Sequence, residues 1–231
     1  MTTSYAKSYV KALQAHFSQA ANAENAVSMA KYMRNQFEFL GIKSPLRTCL
    51  QKQFITERER PCVSYLDKVV PTLWQLPERE YQYAAIDFLD SARKELTTDI
   101  APTLETCILQ KSWWDTIDPI AIHLVGHLMT VYRQDMQPYL EKWRNDDNFW
   151  LRRTTLLFQL SYKNRTDETL LFSLVKENLG SREFFINKAI GWALREYSKT
   201  APQAVVKFVN STELPALSKR EALKWLKKRS L

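Results

Sequence analysis

Apolar residues recur every three to four positions along nearly the whole chain, the spacing that gives a helix one buried face. Between residues 5 and 17, Tyr9, Val10, Leu13 and Phe17 fall on one side and polar residues on the other. Asn22 is placed to cap a second helix carrying Ala26, Met29, Ala30, Met33 and Phe37, which stops near Gly41. Ser44–Pro45 opens a third, with a capping serine and a proline in the first turn. Further helices are predicted over 62–75, 78–95, 101–110, 114–133, 148–163, 167–178, 182–199, 201–209 and 219–228, with Pro71, Pro77 and Pro102 at edges or kinks. No stretch alternates with period two for long enough to form a sheet. The connections are short, as antiparallel helix hairpins require. The expected fold class is all-α.

The helices also repeat. Phe149–Trp150–Leu151–Arg152–Arg153–Thr154 overlays Phe184–Phe185–Ile186–Asn187–Lys188–Ala189 at an offset of 35, and Tyr162 overlays Tyr197 at the same offset. Stepping back from Arg153 by that offset reaches Asp118, and a further step reaches Tyr83. Periods of this length belong to helix-pair solenoids, between the ~34 residues of tetratricopeptide and the ~40–47 of HEAT repeats. The tetratricopeptide consensus of small and aromatic residues is missing, so divergent HEAT-like pairs are the better description. One such domain is expected over residues 1–231, an α-solenoid with a concave basic face. In this register Asp118, Arg153 and Lys188 are equivalent. Trp114 lies four residues before Asp118 and Trp192 four after Lys188, each on the same helix face as its neighbour. One surface should therefore carry Trp114, Asp118, Arg153, Lys188 and Trp192.

Composition narrows the classes. Four glycines in 231 residues, against a typical usage of about 7%, argue against hairpin-rich or dinucleotide-binding architectures, which need many positive-φ turns. Lys and Arg number 33 against 25 Asp and Glu, a net charge of +8 that suits either a polyanionic partner or a generally basic protein. Cys49, Cys62 and Cys107 are odd in number and widely spaced, so neither a disulfide framework nor a zinc site is indicated. No apolar run is long enough for a membrane span, and no signal core opens the chain. A reducing cytoplasm is the expected location.

Candidate chemistry centres on Ser112–Trp113–Trp114–Asp115–Thr116–Ile117–Asp118. Two adjacent indoles cannot both face one core from one helix. Trp113 reads as packing between helices, and Trp114 as facing a ligand. Asp115 suits a helix start, where a carboxylate meets the positive end of the helix dipole. Asp118, one turn further in, is the better candidate for chemistry. His123 and His127 are four apart but lack the glutamate of a zinc protease motif, and a third histidine occurs only at His16. They read as surface or packing residues. Lys219–Arg220 and Lys227–Lys228–Arg229 fit a solvated helix face or a contact to phosphates. Tyr32, between Lys31 and Arg34, reads from its position alone as core filler.

These motifs carry a resemblance. Lys111–Ser112–Trp113–Trp114–Asp115 followed by Asp118, then Trp150–Leu151–Arg152–Arg153, then Phe184–Phe185–Ile186 through Lys188–Ala189–Ile190–Gly191–Trp192 to Leu194–Arg195–Glu196–Tyr197 are long and compositionally odd. With Tyr9–Val10–Lys11–Ala12–Leu13 and Lys219–Arg220–Glu221–Ala222 at the ends, the chain resembles the AlkD-type alkylpurine DNA glycosylases over nearly its whole length. The resemblance implies hydrolysis of the N-glycosidic bond of positively charged 3-methyladenine and 7-methylguanine in duplex DNA, without base flipping, as the first step of base excision repair. It implies Asp118, Trp114 and Trp192 as catalytic residues and Arg153, Lys188 and Tyr32 as DNA-binding ones, and so reassigns Tyr32 from filler to cleft. The expected partner is double-stranded DNA bound by a monomer, with no metal, organic cofactor or membrane, in the cytoplasm and on the nucleoid when engaged. The rival reading is a non-catalytic HEAT-like DNA-binding or scaffold module, which leaves a carboxylate among cations and indoles unexplained.

Overall fold

The computed structural model describes residues 2–229. Among them the backbone is helix and connecting turn, with one parallel bridge between Glu38 and Glu78 and no strand. The chain divides into two compact units, residues 1–107 and 108–231. No helix among the described residues is long and apolar enough to cross a membrane.

The first unit contains α1 (Thr2–Ser18), α2 (Ala23–Tyr32), α3 (Ser44–Arg58), α4 (Val63–Trp74) and α5 (Arg79–Ser91), with α6 (Ala101–Leu109) running to its boundary. Tyr9, Val10, Leu13 and Phe17 of α1 are buried, as their spacing requires, and α1 packs on α3 and α4. Asn22 caps α2 by accepting the Asn25 N–H at 2.8 Å. That helix ends at Tyr32, earlier than the apolar pattern suggested. Arg34 and Asn35 both adopt φ of +56°, so Phe37 lies in a loop. Gly41 is a turn residue of this loop and not the cap of α2: at its φ of +85° an added Cβ would sit 1.9 Å from the Asn22 carbonyl oxygen. Buried Glu80 fixes the loop by accepting the N–H groups of Leu40, Gly41 and Ile42 at 3.0, 2.9 and 3.0 Å. The guanidinium of Arg79 lies 3.7 Å from the Phe37 ring centroid, adding a cation–π contact. Ser44 begins α3, but Lys43 occupies the capping position and offers no side-chain bond.

The second unit alternates two sets of helices. One set comprises α7 (Trp114–Pro119) continuing through Ile120–Val125 into α8 (Gly126–Val131), then α10 (Phe149–Leu157), α12 (Phe184–Tyr197) and α14 (Ala216–Arg229). Members of this set pack on one another in that order, α7 on α10, α10 on α12 and α12 on α14. Between them in sequence come α9 (Arg133–Arg144), packed on α8 and α10, α11 (Glu168–Glu177), packed on α10, and α13 (Pro202–Ser211), packed on α12 and α14. Equivalent positions on α7, α10 and α12 therefore meet, which is the structural content of the 35-residue register.

Two departures from the expected helices have local causes. The helix predicted over 114–133 changes to a π turn across Ile120–Val125, immediately after Pro119. A proline inside a helix removes one backbone donor and crowds the carbonyl four residues back, here that of Asp115. Widening the next turn accommodates it, and such π insertions recur at functional sites. The expectation also left 134–147 without a helix. There α9 buries Met136, Leu140 and Trp143, a helical spacing that Pro138 interrupts in the sequence but not in the fold.

Where α12 crosses α14, Gly191 allows the helices to approach. An added Cβ would lie 2.6 Å from Glu221 Cβ and 2.9 Å from the Ser218 carbonyl oxygen. Helix propensity alone favours Gly→Ala by up to about 1 kcal/mol, but here the neighbours are backbone and Cβ atoms that cannot swing aside. Gly191→Ala should destabilise the protein by about 1–3 kcal/mol in denaturant unfolding; unchanged or increased stability would show that the crossing is looser than the geometry indicates.

Candidate active site

The site is built from α7, α10 and α12 of the second unit. Approaching it, Lys111 takes a φ of +50° and Trp113 an extended conformation before α7 begins. Trp113 itself occupies the helix-capping position. Asp115 falls in the first helical turn, where its charge opposes the helix dipole favourably without serving as the cap. Trp113 turns toward α10 and α12: its ring meets that of Phe185 edge-on at 5.1 Å and that of Trp150 at 6.0 Å. Phe149 joins Trp150, and Phe184 joins Phe185, giving a continuous aromatic wall. Each such pair contributes about 0.5–1.5 kcal/mol beyond area burial. The packing role expected of Trp113 is thereby met.

Against this wall lies the ion pair that defines the site. Arg153 donates from Nε to Asp118 Oδ1 at 2.8 Å and from Nη2 to Oδ2 at 2.9 Å, and its Nη1 donates to the Phe185 carbonyl. Asp118 is 9% exposed and Arg153 only 3%. Both oxygens of the carboxylate and all three nitrogens of the guanidinium are thus engaged, in the two-pronged geometry that makes arginine–carboxylate pairs rigid. Burial pushes the Asp118 carboxyl above the usual carboxylate range. The hydrogen bonds and charge of Arg153 pull it down, and the Asp115 charge adds a smaller push upward. The permanently charged guanidinium keeps ionised Asp118 as the form that accepts both of its bonds.

Above the pair is a cavity of about 390 Å³ lined by Trp114, Asp118, Arg153, Phe184, Phe185, Lys188, Trp192 and Arg195. The five residues that the register placed on one surface all line it. Two features differ from expectation. Arg153, assigned to the DNA backbone, commits a donor from every nitrogen to protein acceptors and lies beneath the surface, so its first role is to hold Asp118. Lys188, on the same assignment, is partly exposed but has its Nζ 3.0 Å from Glu221 of α14. Arg195 and the two phenylalanines were not singled out, although Arg195 follows Lys188 and Trp192 at the helical offsets of seven and three.

Tyr32 belongs to the first unit. At 72% exposed it is not core filler, and it lines a separate cavity of about 170 Å³ with Ser28, Met29, Met33, Phe39 and Tyr83. His123 is exposed on the π turn and His127 half-buried on α8, while His16 bonds the Leu50 carbonyl. Among the described residues no cluster of three or more His, Cys, Asp or Glu could hold a metal ion.

The family model for DNA alkylation repair enzymes matches residues 13–226. The chain belongs to that family. A structure described as a predicted DNA alkylation repair enzyme from Enterococcus faecalis shares 35% identity, superposes with a TM-score of 0.83, and aligns over 90% of this chain and 97% of its own. Two structures from Streptococcus mutans share the fold at lower identity. One, smu.31, is 16% identical with a TM-score of 0.59, over 78% of this chain and 96% of its own. The other, AlkD2, is 15% identical with a TM-score of 0.58, over 77% and 87%. No curated protein matches the chain. For this family member the conspicuous carboxylate is therefore set in a chain that acts in DNA alkylation repair.

Carboxyl titration tests the electrostatics directly. Followed by ¹³C NMR, Asp118 should titrate above the ordinary carboxylate range, and Arg153→Gln should move it higher by removing what holds it down. That variant should lose about 3–5 kcal/mol of stability near neutral pH, because it leaves a buried carboxylate unpaired. The loss should shrink as pH falls through the raised pKa and the carboxyl takes up a proton. Titration of Asp118 at or below the ordinary range would contradict this description.

Proposed function

We propose that the protein is a DNA glycosylase that hydrolyses the N-glycosidic bond of cationic N3- and N7-alkylated purines in duplex DNA. The observation that carries the proposal is the oriented, buried Asp118 carboxylate at the base of a cleft flanked by two indoles. Alkylation at N3 or N7 makes the base cationic and a good leaving group, so the main barrier is charge developing on the sugar. As the bond breaks, its electron pair leaves with the base, which departs neutral. Water adds to C1′ and gives up a proton to solvent water. A fixed anion beside C1′ stabilises the oxocarbenium-like transition state without having to reorganise. Asp118 fits that role, and its free lone pairs can orient the attacking water. Trp114 and Trp192 contribute cation–π attraction of about 0.5–2 kcal/mol each toward the charged sugar.

The lining also favours a particular selectivity. Its indoles and phenylalanines offer ring faces, and its charged groups are engaged with protein, Arg153 with Asp118 and both Lys188 and Arg195 with Glu221, so few groups remain to read the edge of a base by hydrogen bonds. Enzymes that extrude a base into a pocket read it by such bonds. Here selection follows the charge and lability of the lesion, and the base needs no pocket of its own. Lys188 and Arg195 supply cations for the DNA backbone, with Tyr32 an exposed aromatic contact in the first unit.

Asp118→Asn should slow release of 7-methylguanine from methylated duplex DNA by about 10²–10³-fold, with DNA binding of the folded variant retained. Release at the wild-type rate would remove Asp118 from the chemistry. Trp114→Ala and Trp192→Ala should each slow release by about tenfold, the size of one cation–π contact, as read in single-turnover assays. Release unaffected by both replacements would exclude the indoles.

A further inference from the structure

The cleft contains more positive charge than a cationic reaction should tolerate. Lys188 lies one turn before Trp192 and Arg195 one turn after it on the same face of α12, and all three line the cavity. Uncompensated, the two cations would raise the local potential where the alkylated base and the developing sugar cation must sit. Phosphate binding and cation stabilisation thus make opposing demands on one surface.

A residue outside the cavity meets both cations. Glu221 of α14 is 6% exposed and receives Lys188 Nζ at Oε1, 3.0 Å, and Arg195 Nη1 at Oε2, 2.7 Å. It is the one acidic residue in a helix that otherwise carries Lys219, Arg220, Lys224, Lys227, Lys228 and Arg229. Its position depends on the close crossing of α12 and α14, where Gly191 leaves room for the Glu221 Cβ. Ser218, one turn earlier on α14, donates to the Asn187 carbonyl of α12 at 2.7 Å and fixes the register of the crossing. Lys188 foremost, with smaller effects from Lys224 and then Arg195, holds the Glu221 carboxyl below the usual carboxylate range, so the anion persists as the solution is acidified.

We propose that Glu221 is a positioning residue that fixes Lys188 and Arg195 at the rim of the cleft and cancels enough of their charge for the cleft to accept a cation. The proposal rests on the glycosylase reading of that cleft. On this account α14 belongs to the site: its buried acid tunes the field, and Lys224, one turn further along the same face, adds to the positive charge that the acid offsets. Neutralising Glu221 should strengthen attraction for DNA in general and weaken catalysis, two effects of opposite sign that loss of structure cannot produce together.

The test compares wild type, Glu221→Gln and the double variant Glu221→Gln/Lys188→Gln. Each is assayed for single-turnover release of 7-methylguanine and for the salt dependence of binding to an undamaged duplex. Glu221→Gln should bind more tightly, with a log–log salt slope steeper by about one, while release slows about tenfold as the uncompensated charge raises the barrier. The double variant removes a cation with the anion, and its slope and release rate should return toward wild type. An unchanged or shallower slope for Glu221→Gln, or unchanged release, would overturn the proposal. Should Glu221→Gln melt early, the double variant decides. Release faster than in the single variant supports charge compensation, and release no faster refutes it. Wild-type protein that binds duplex DNA but releases no methylated base would instead remove the glycosylase reading, while the salt slopes still judge the charge balance at Glu221.

Discussion

The pairing of Asp118 with Arg153 is the constraint on which the second unit's geometry turns. A carboxylate at 9% exposure has lost most of its water, and without a partner it would take up a proton and cease to be an anion. The guanidinium prevents this by matching both oxygens at once. Arg153 is in turn held by the Phe185 carbonyl, and Phe185 by the rings of Trp113 and Trp150. One ion pair thus ties α7, α10 and α12 together and leaves the carboxylate aimed in a single direction. Rigidity of this kind is what electrostatic catalysis needs, since a fixed charge stabilises a transition state without first having to move.

Backbone features around the pair serve the same end. Asp118 precedes a proline, and the chain widens into a π turn directly after it. On the far side of the cleft, Gly191 brings α14 close enough for Glu221 to reach two cations on α12. Both features run against simple helix propensity, and both occur where residues of the cleft must be placed. That pattern fits local compromise at a functional site within an otherwise consistent fold.

Much of this arrangement was legible in the sequence. Helical periodicity located most elements, because amphipathic spacing reports burial directly. The 35-residue register gathered Trp114, Asp118, Arg153, Lys188 and Trp192 because equivalent residues of stacked helices meet. What it could not supply was pairing. A register says that Asp118 and Arg153 are neighbours but not that they bond, and the DNA contact implied for Arg153 by the family resemblance gave no sign of the ion pair. Glu221 was hidden for a related reason: its partners lie 33 and 26 residues away, and a lone acid in a basic helix looks like solvent-facing charge. The early end of α2 and the π turn escaped because apolar spacing continues through both. Pro138 masked α9, although Met136, Leu140 and Trp143 carried its signal.

The chain belongs to the DNA alkylation repair family, and the charged and aromatic lining of the cleft supports the proposed excision of cationic purines. The central claim is that a fixed anion acts on a bond already weakened by the charge of the base, in place of recognising the base by its edges. The most direct measurement is single-turnover release of 7-methylguanine and of a neutral damaged purine, hypoxanthine, from otherwise identical duplexes. The account predicts release of 7-methylguanine and none of hypoxanthine above the uncatalysed rate. Comparable release of both would contradict it.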